Sequence, residues 1–148
     1  MMQKLKILNK KEAKKILSML EKQWGFRDEL DYAFLQSEKS KIYIANREIF
    51  GLDLSKVKVN SYGLYFAEIK SGIRLSIEGS QIIGPKAAKN VVELTGKEAK
   101  QWMSGIDIEK ETDAEGFVIL RHAEDFLGTG KATKDGKILN FVPKTRRL

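Results

Sequence analysis

The chain has 148 residues with 42% hydrophobic side chains, and its 27 Lys and Arg outnumber 20 Asp and Glu to give a formal charge of +7. That length suits one ordinary domain or two small ones sharing an interface. No apolar run is long enough to cross a bilayer, and Met1-Met2-Gln3-Lys4-Leu5-Lys6 lacks the apolar core of a secretory signal, so a soluble, cytoplasmic protein is expected. With no cysteine and one histidine, His122, disulfides, thiolate catalysis, zinc fingers and most catalytic zinc sites are excluded, and no metal or cofactor is expected.

The first predicted element is a helix. Asn9 and Glu12 fit a capping box, Gly25 fits a left-handed stop, and Ala13, Ile16, Leu17, Leu20 and Trp24 recur at helical spacing. Lys10, Lys11, Lys14, Lys15 and Lys22 occupy the other side, read as a solvated face. Tyr32 to Gln36 and Ile42 to Ala45 flank Ser37-Glu38-Lys39-Ser40 as a hairpin. Val57 and Val59 alternate with Lys56 and Lys58, and Leu64-Tyr65-Phe66-Ala67 leads to a turn at Lys70-Ser71-Gly72. Beyond it Ile73, Leu75 and Ile77 point one way and Arg74, Ser76 and Glu78 the other. Together these predict an antiparallel sheet with the first helix packed on it.

Gly79-Ser80 and Gly84-Pro85 punctuate the chain, with Pro85 placed to open a helical turn through Lys89. The boundary between two halves is set here, and the short link predicts that the halves pack together. After Val91-Val92, Thr95 and Glu98 form a second capping box. Ala99, Trp102 and Met103 make that helix's buried face, and Gly105 stops it. Ile106 and Ile108 alternate with Asp107 and Glu109 as a strand, and Glu109 to Glu115 is an exposed acidic connection. Phe117-Val118-Ile119-Leu120 reads as a central strand. In the strand Phe126 to Ala132, Gly128 and Gly130 share one face and leave bare backbone for a close neighbour. Asp135-Gly136 marks a hairpin, and the final strand runs through Asn140-Phe141-Val142 into Pro143-Lys144-Thr145-Arg146-Arg147. Strands closing over bare glycines suggest a small mixed barrel.

Charge is unevenly spread along this plan. From Lys131 to the end, Lys131, Lys134, Lys137, Lys144, Arg146 and Arg147 face only Asp135, and such a concentration favours polyanions because each neutralised phosphate releases counterions. Several sites read as ordinary structure. Gly128-Thr129-Gly130-Lys131 fails the phosphate-loop spacing, with Asp125 and Ala132 at the deciding positions. His122 beside Glu124 and Asp125 reads as a surface residue and not a catalytic base. Trp24 and Trp102 lie on apolar helix faces and read as core. Tyr62, Tyr65 and Phe66, among Lys56, Lys58 and Lys70, suit either base stacking or a half-buried sheet.

The motifs taken in order resemble a known family. Ile83-Gly84-Pro85-Lys86-Ala87, Glu98 to Gly105, Gly116-Phe117-Val118-Ile119-Leu120, Leu127-Gly128-Thr129-Gly130-Lys131 and Pro143-Lys144-Thr145-Arg146-Arg147 are similar to a PUA domain. The closer similarity is to the C-terminal RNA-binding region of the Nol/Nop/Sun (Fmu, RsmF-type) rRNA cytosine-5 methyltransferases, including the helix-plus-sheet segment before the PUA part. It runs from about Leu5 onward. Those enzymes bind S-adenosylmethionine on a Rossmann-like domain and attack through a cysteine, and neither is present here. The resemblance therefore implies a free-standing RNA binder that is not an enzyme.

The fold expected is α+β: residues 1–82 form a helix on an antiparallel sheet, and 83–148 form a PUA-like mixed β pseudobarrel that binds RNA. In PUA domains RNA lies along the first helix, the following strand and the final strand, which implies Lys97, Lys100, Lys131, Lys144, Arg146 and Arg147 as the contacts. Lys offers phosphates a point charge and Arg a bidentate or stacked contact. The expected partner is structured rRNA or tRNA, in ribosome biogenesis or RNA modification. Two alternatives are a protein-interaction subunit, docking a maturation factor through Glu109 to Glu115 or the aromatic sheet, and an accessory subunit presenting RNA to a separately encoded methyltransferase.

Overall fold

The computed structural model describes residues 5–48 and 63–148. The expected strand around Val57 and Val59, with Lys56, Lys58 and Tyr62, lies outside the described residues. The class is α+β, as the pattern predicts. Among the described residues two five-stranded sheets, one from each half, are joined through a short central helix. Neither sheet closes on itself among the described residues, so the expected barrel is an open sheet with Val91–Glu93 and Ile108–Glu109 at its edges.

The first half begins with a short strand that periodicity did not announce, β1 (Leu5–Ile7), which pairs antiparallel with Leu35 to Ser37. Helix α1 (Lys10–Trp24) follows and has the ends read from sequence. Asn9 and Glu12 complete a reciprocal capping box, and Gly25 closes the helix at φ 67°, a conformation that suits a residue without Cβ. Ile16, Leu20 and Trp24 are buried, while Lys10, Lys11, Lys14, Lys15 and Lys22 are exposed. β2 (Ala33–Ser37) and β3 (Lys41–Ala45) form the predicted hairpin. β4 (Leu64–Ile69) pairs with β3 and turns through Ser71 and Gly72 into β5 (Ile73–Leu75). Register slips between Ile42 and Tyr43, which pair with Ala67 and Tyr65, so Phe66 is passed over. That bulge buries both Phe66 and Ala67 against α1 and leaves Tyr65 on the sheet's other face.

The expected alternation through Ile77 stops at Leu75. Ser76 accepts a hydrogen bond from Gly79 N and caps helix α2 (Ile77–Ile83), so Gly79-Ser80 lies inside a helix and is no break in the chain. Packing explains why glycine is there: a Cβ at Gly79 would strike the Phe66 carbonyl, so the helix sits directly on β4. Ser80 Oγ donates to Ile77 O and accepts from Gly128 N, which ties α2 to the second sheet. Thr129 Oγ1 donates to Leu75 O at 2.9 Å and adds a second tie. Pro85 opens a 3-10 turn, Gly84–Lys86, shorter than the expected run through Lys89.

In the second half β6 (Val91–Glu93) runs parallel to β8 (Gly116–His122). Between them lie helix α3 (Gly96–Met103), capped reciprocally by Thr95 and Glu98, and β7 (Ile108–Glu109), shorter than expected. β9 (Asp125–Ala132) returns antiparallel to β8. β10 (Lys137–Leu139) follows the predicted Asp135-Gly136 turn and pairs with both β9 and β7. Side chains of β8 alternate between two cores. Val118 and Leu120 join Trp102, Ile108 and Ile138, whereas Ile119 joins Leu20, Trp24 and Phe66 from the first half.

The expected final strand ends at Leu139. Asn140 diverts the chain: its N–H donates to Asp107 Oδ1, its Nδ2 donates to Trp102 O and Ile106 O, and its Oδ1 accepts from Val142 N. Four hydrogen bonds from one residue pull the backbone off the sheet, and Lys144–Arg146 form a 3-10 turn instead.

Candidate functional site

Helix α3 sits on the second sheet through Trp102. Its indole lies over Gly130, where a Cβ would come within 2.6 Å of the ring, and its Nε1 donates to Leu127 O at 2.7 Å. Burying that side turns Lys97 and Lys100, three positions apart, to the exposed side of the helix. Glu98, lying between them in sequence, is engaged elsewhere. It accepts from Thr95 N and from Lys110 Nζ, both at 2.9 Å, and these bonds, the Thr95 one foremost, hold its carboxyl below the ordinary value.

The C-terminal turn docks on the end of α3. Leu148 N donates to Met103 O at 2.9 Å, and Arg147 lies across Gly105 with its Nε donating to Val142 O at 3.1 Å. Lys144 is exposed on the same turn. Arg146 takes another direction and pairs with Glu78 of α2.

Lys131 is not part of this group. It pairs with Phe117 in the β8–β9 register and holds its ammonium 6.0 Å from that ring. Phe117 packs with the first core, on the face opposite the one that Trp102 covers. The structure thus divides the six cations expected together: Lys97 and Lys100 lie on the exposed side of α3, Arg147 crosses the Gly105 end of that helix and Lys144 is exposed on the adjoining turn, while Lys131 and Arg146 face the junction with the first half.

That junction holds aromatic and cationic residues that periodicity alone does not connect. Tyr43 and Tyr65 pack with centroids 5.7 Å apart, and Lys41 Nζ lies 5.6 Å from the Tyr65 ring. Arg74 stacks its guanidinium 4.5 Å from the centroid of Phe141, which in turn meets Phe117 at 6.2 Å. Arg74 is held from behind by Glu68 at 2.7 Å, a carboxylate that Lys70 also approaches at 3.6 Å. Burial, and then the Glu68 charge, push the Tyr65 phenol above its ordinary value, so it remains a neutral hydroxyl at physiological pH. A cavity of about 110 Å³ opens among Tyr65, Arg74, Glu78, Phe141 and Arg146, floored by Gly128 and Thr129. The sequence signal for Arg74 was its place on the polar side of an alternating strand. Phe141 gave none, because its position depends on Asn140 leaving the sheet.

Other expectations resolve simply. His122 Nδ1 lies 2.9 Å from Leu94 O and holds the β6–α3 connection. Trp24 and Trp102 are fully buried, as read, and so is Phe66, whereas Tyr65 is half-buried. Among the described residues no group of three or more His, Cys, Asp or Glu is placed to hold a metal ion, and no helix is long and apolar enough to cross a membrane.

Residues 89–148 match the family model described as the methyltransferase RsmF PUA domain. Ribosomal RNA small subunit methyltransferase F of Aeromonas salmonicida is 34% identical over 98 residues, which is 65% of this chain and 20% of that protein. The protein of that name from Vibrio cholerae serotype O1 is 32% identical over 93 residues, 62% of this chain and 20% of its own length. Aligned stretches of this length do not fit within residues 89–148, so the similarity reaches into the first half. The chain spans about a fifth of the length of the curated relatives it matches. The resemblance read from the motifs therefore holds: residues 89–148 are similar to the PUA domain of the RsmF methyltransferases.

Proposed function

We propose that this chain binds structured RNA, with ribosomal RNA foremost, and contributes recognition without catalysis to ribosome biogenesis or RNA modification. The observation that carries the reading is the match of residues 89–148 to the RsmF PUA domain, in relatives whose name describes methylation of small-subunit ribosomal RNA. The exposed cations on α3 and the C-terminal turn supply the complementary charge. Lys97, Lys100 and Lys144 contact phosphates as point charges, and Arg147, aligned by its bond to Val142 O, offers the rest of its guanidinium. Recognition on such a surface rests on duplex shape and phosphate spacing. The absence of cysteine from the sequence supports a non-catalytic part, since the resembling enzymes attack through a thiolate.

Reversing Lys97, Lys100 and Lys144 to Glu should weaken binding to a ribosomal RNA hairpin and reduce the slope of log affinity against log salt by about 2 to 3, close to one per lost phosphate contact. These side chains are exposed, so thermal unfolding should change little. An unaltered salt slope in a folded triple variant removes this surface from the interface. The identity of the relatives favours one specific setting, in which the chain presents RNA to a separately encoded methyltransferase. Stimulation of such an enzyme in trans, lost in the same triple variant, is the expected result.

A further inference from the structure

The cavity at the junction of the two halves is independent of the α3 surface. We infer that it is a receptor for a single unpaired base extruded from the bound RNA, stacked on Phe141 beside Arg74 and with its phosphate met by Arg146. This inference rests on the RNA-binding reading above and adds to it a second contact of different chemistry.

Size, shape and charge each narrow the occupant. About 110 Å³ lies well below the roughly 300 Å³ at which pockets for drug-sized ligands begin, so it admits one planar ring and no large cofactor. The ring's neighbours are a stacked Arg74–Phe141 pair at 4.5 Å and the half-buried phenol of Tyr65. Aromatic faces and guanidinium planes are the surfaces on which unpaired RNA bases stack. Two guanidiniums, of Arg74 and Arg146, line the cavity beside the carboxylate of Glu78. Arg74 engages Glu68 through one terminal nitrogen and Arg146 engages Glu78 through one, and a guanidinium has five N–H donors, so each keeps donors for an incoming anion. A nucleotide of the bound RNA joins such a ring to such an anion.

The cavity is built before any ligand arrives. Thr129 Oγ1 donates to Leu75 O at 2.9 Å, a bond between the two halves, and Ser76 Oγ donates to Tyr65 O at 2.7 Å within the first half, so the backbone around the cavity is fixed on both sides. Gly128, at φ 92°, keeps the floor free of a side chain where Ile77 of α2 approaches. Tyr65, remaining protonated, offers both a donor and an acceptor to a base edge.

The test uses the whole chain and two RNA hairpins that differ by one bulged nucleotide, a 2-aminopurine whose emission falls when it stacks. The native chain should bind the bulged hairpin on the order of ten-fold more tightly than the unbulged one, with quenching of the probe. Phe141→Leu keeps an apolar side chain but removes the ring, and Arg74→Lys keeps the charge but removes the stacking plane. In both, the bulged hairpin should bind only as well as the unbulged one and the probe should stay bright, with the melting temperature of each variant measured to establish folding. The Lys97, Lys100 and Lys144 reversal should weaken both hairpins yet preserve their ratio. Equal binding of the two hairpins by the native chain, or a full preference and full quenching in folded Phe141→Leu, overturns the base receptor while leaving RNA binding in place. Failure of the native chain to bind either hairpin overturns both.

Discussion

Gly130 and Gly96 meet an added methyl group very differently. A Cβ on Gly130 would lie 2.6 Å from the Trp102 ring and 2.7 Å from the Leu139 carbonyl oxygen, and neither yields easily: the indole is fully buried and hydrogen-bonded, and the carbonyl belongs to a paired strand. At Gly96 the nearest atom is 3.8 Å away, on His122, and the residue sits in the first turn of α3 with no positive φ. Gly130→Ala should therefore destabilise the fold by about 1–3 kcal/mol through overpacking. Gly96→Ala should stabilise it by roughly 0.4–1 kcal/mol, because alanine restricts the unfolded chain at a position whose native geometry it tolerates. Urea titrations of the two variants should thus move the midpoint in opposite directions. Since Trp102 reads the bareness of Gly130, the first variant should also displace α3 and weaken hairpin binding through Lys97 and Lys100, while the second should not.

Elements whose ends are written in local chemistry were legible in the sequence, and those whose ends depend on distant partners were not. Asn9 with Glu12, Thr95 with Glu98, and Asp135-Gly136 each act within a few residues, and all three were placed correctly. Helix α2 was missed because Ile73, Leu75 and Ile77 keep strand spacing across its start, and because Gly79 weakens any helical reading until Phe66 is known to lie beneath it. The last strand was overextended for a similar reason, as Asn140 bonds to Trp102, Ile106 and Asp107, all remote in sequence. The Thr95 cap also carries a pH dependence. Its bond holds the Glu98 carboxyl below the ordinary 4.5, so the folded chain favours the charged form. The stabilisation is complete above the unfolded value and is lost as pH falls through the lower folded one. Thr95→Ala should cost about 1 kcal/mol at neutral pH, and Glu98→Gln should flatten the acid limb of stability below pH 4.5, where native protein loses the contribution. A cap variant with native stability, or an acid limb indifferent to Glu98, would count against this account of α3.

At the scale of the whole molecule, the contact set implied by resemblance was only partly reassembled, since Lys131 follows strand alternation to the far face of the sheet that α3 covers. The same alternation makes the two halves one structural unit. β8 sends Val118 and Leu120 into the second core and Ile119 into the first, while Phe126 of β9 and Ile83 of α2 also complete the first. Hydrogen bonds follow suit: Ala88 N donates to Trp24 O at 2.7 Å, and the Gln23 side chain donates from Nε2 to Phe117 O at 2.6 Å. We propose a division at residues 82 and 83 as one of sequence and not of stability, because α2 lies across it and bonds to both sheets. A fragment of residues 89–148, the segment matching the RsmF PUA model, would expose Phe117, Ile119 and Phe126 and lose the Ser80 bond to Gly128. Burial of three such side chains contributes roughly 1.5–3 kcal/mol each, a sum comparable to the whole stability of a small domain, which is about 5–15 kcal/mol. The full chain should accordingly melt in a single transition by both tryptophan fluorescence and far-ultraviolet circular dichroism. The fragment should show far weaker amide-exchange protection in β8 and β9, and it should recover that protection when residues 1–88 are added in trans. Two separated transitions in the full chain, or native protection in the isolated fragment, would mean that the first half is an appendage and that a cavity formed between the halves is not a fixed feature of the fold.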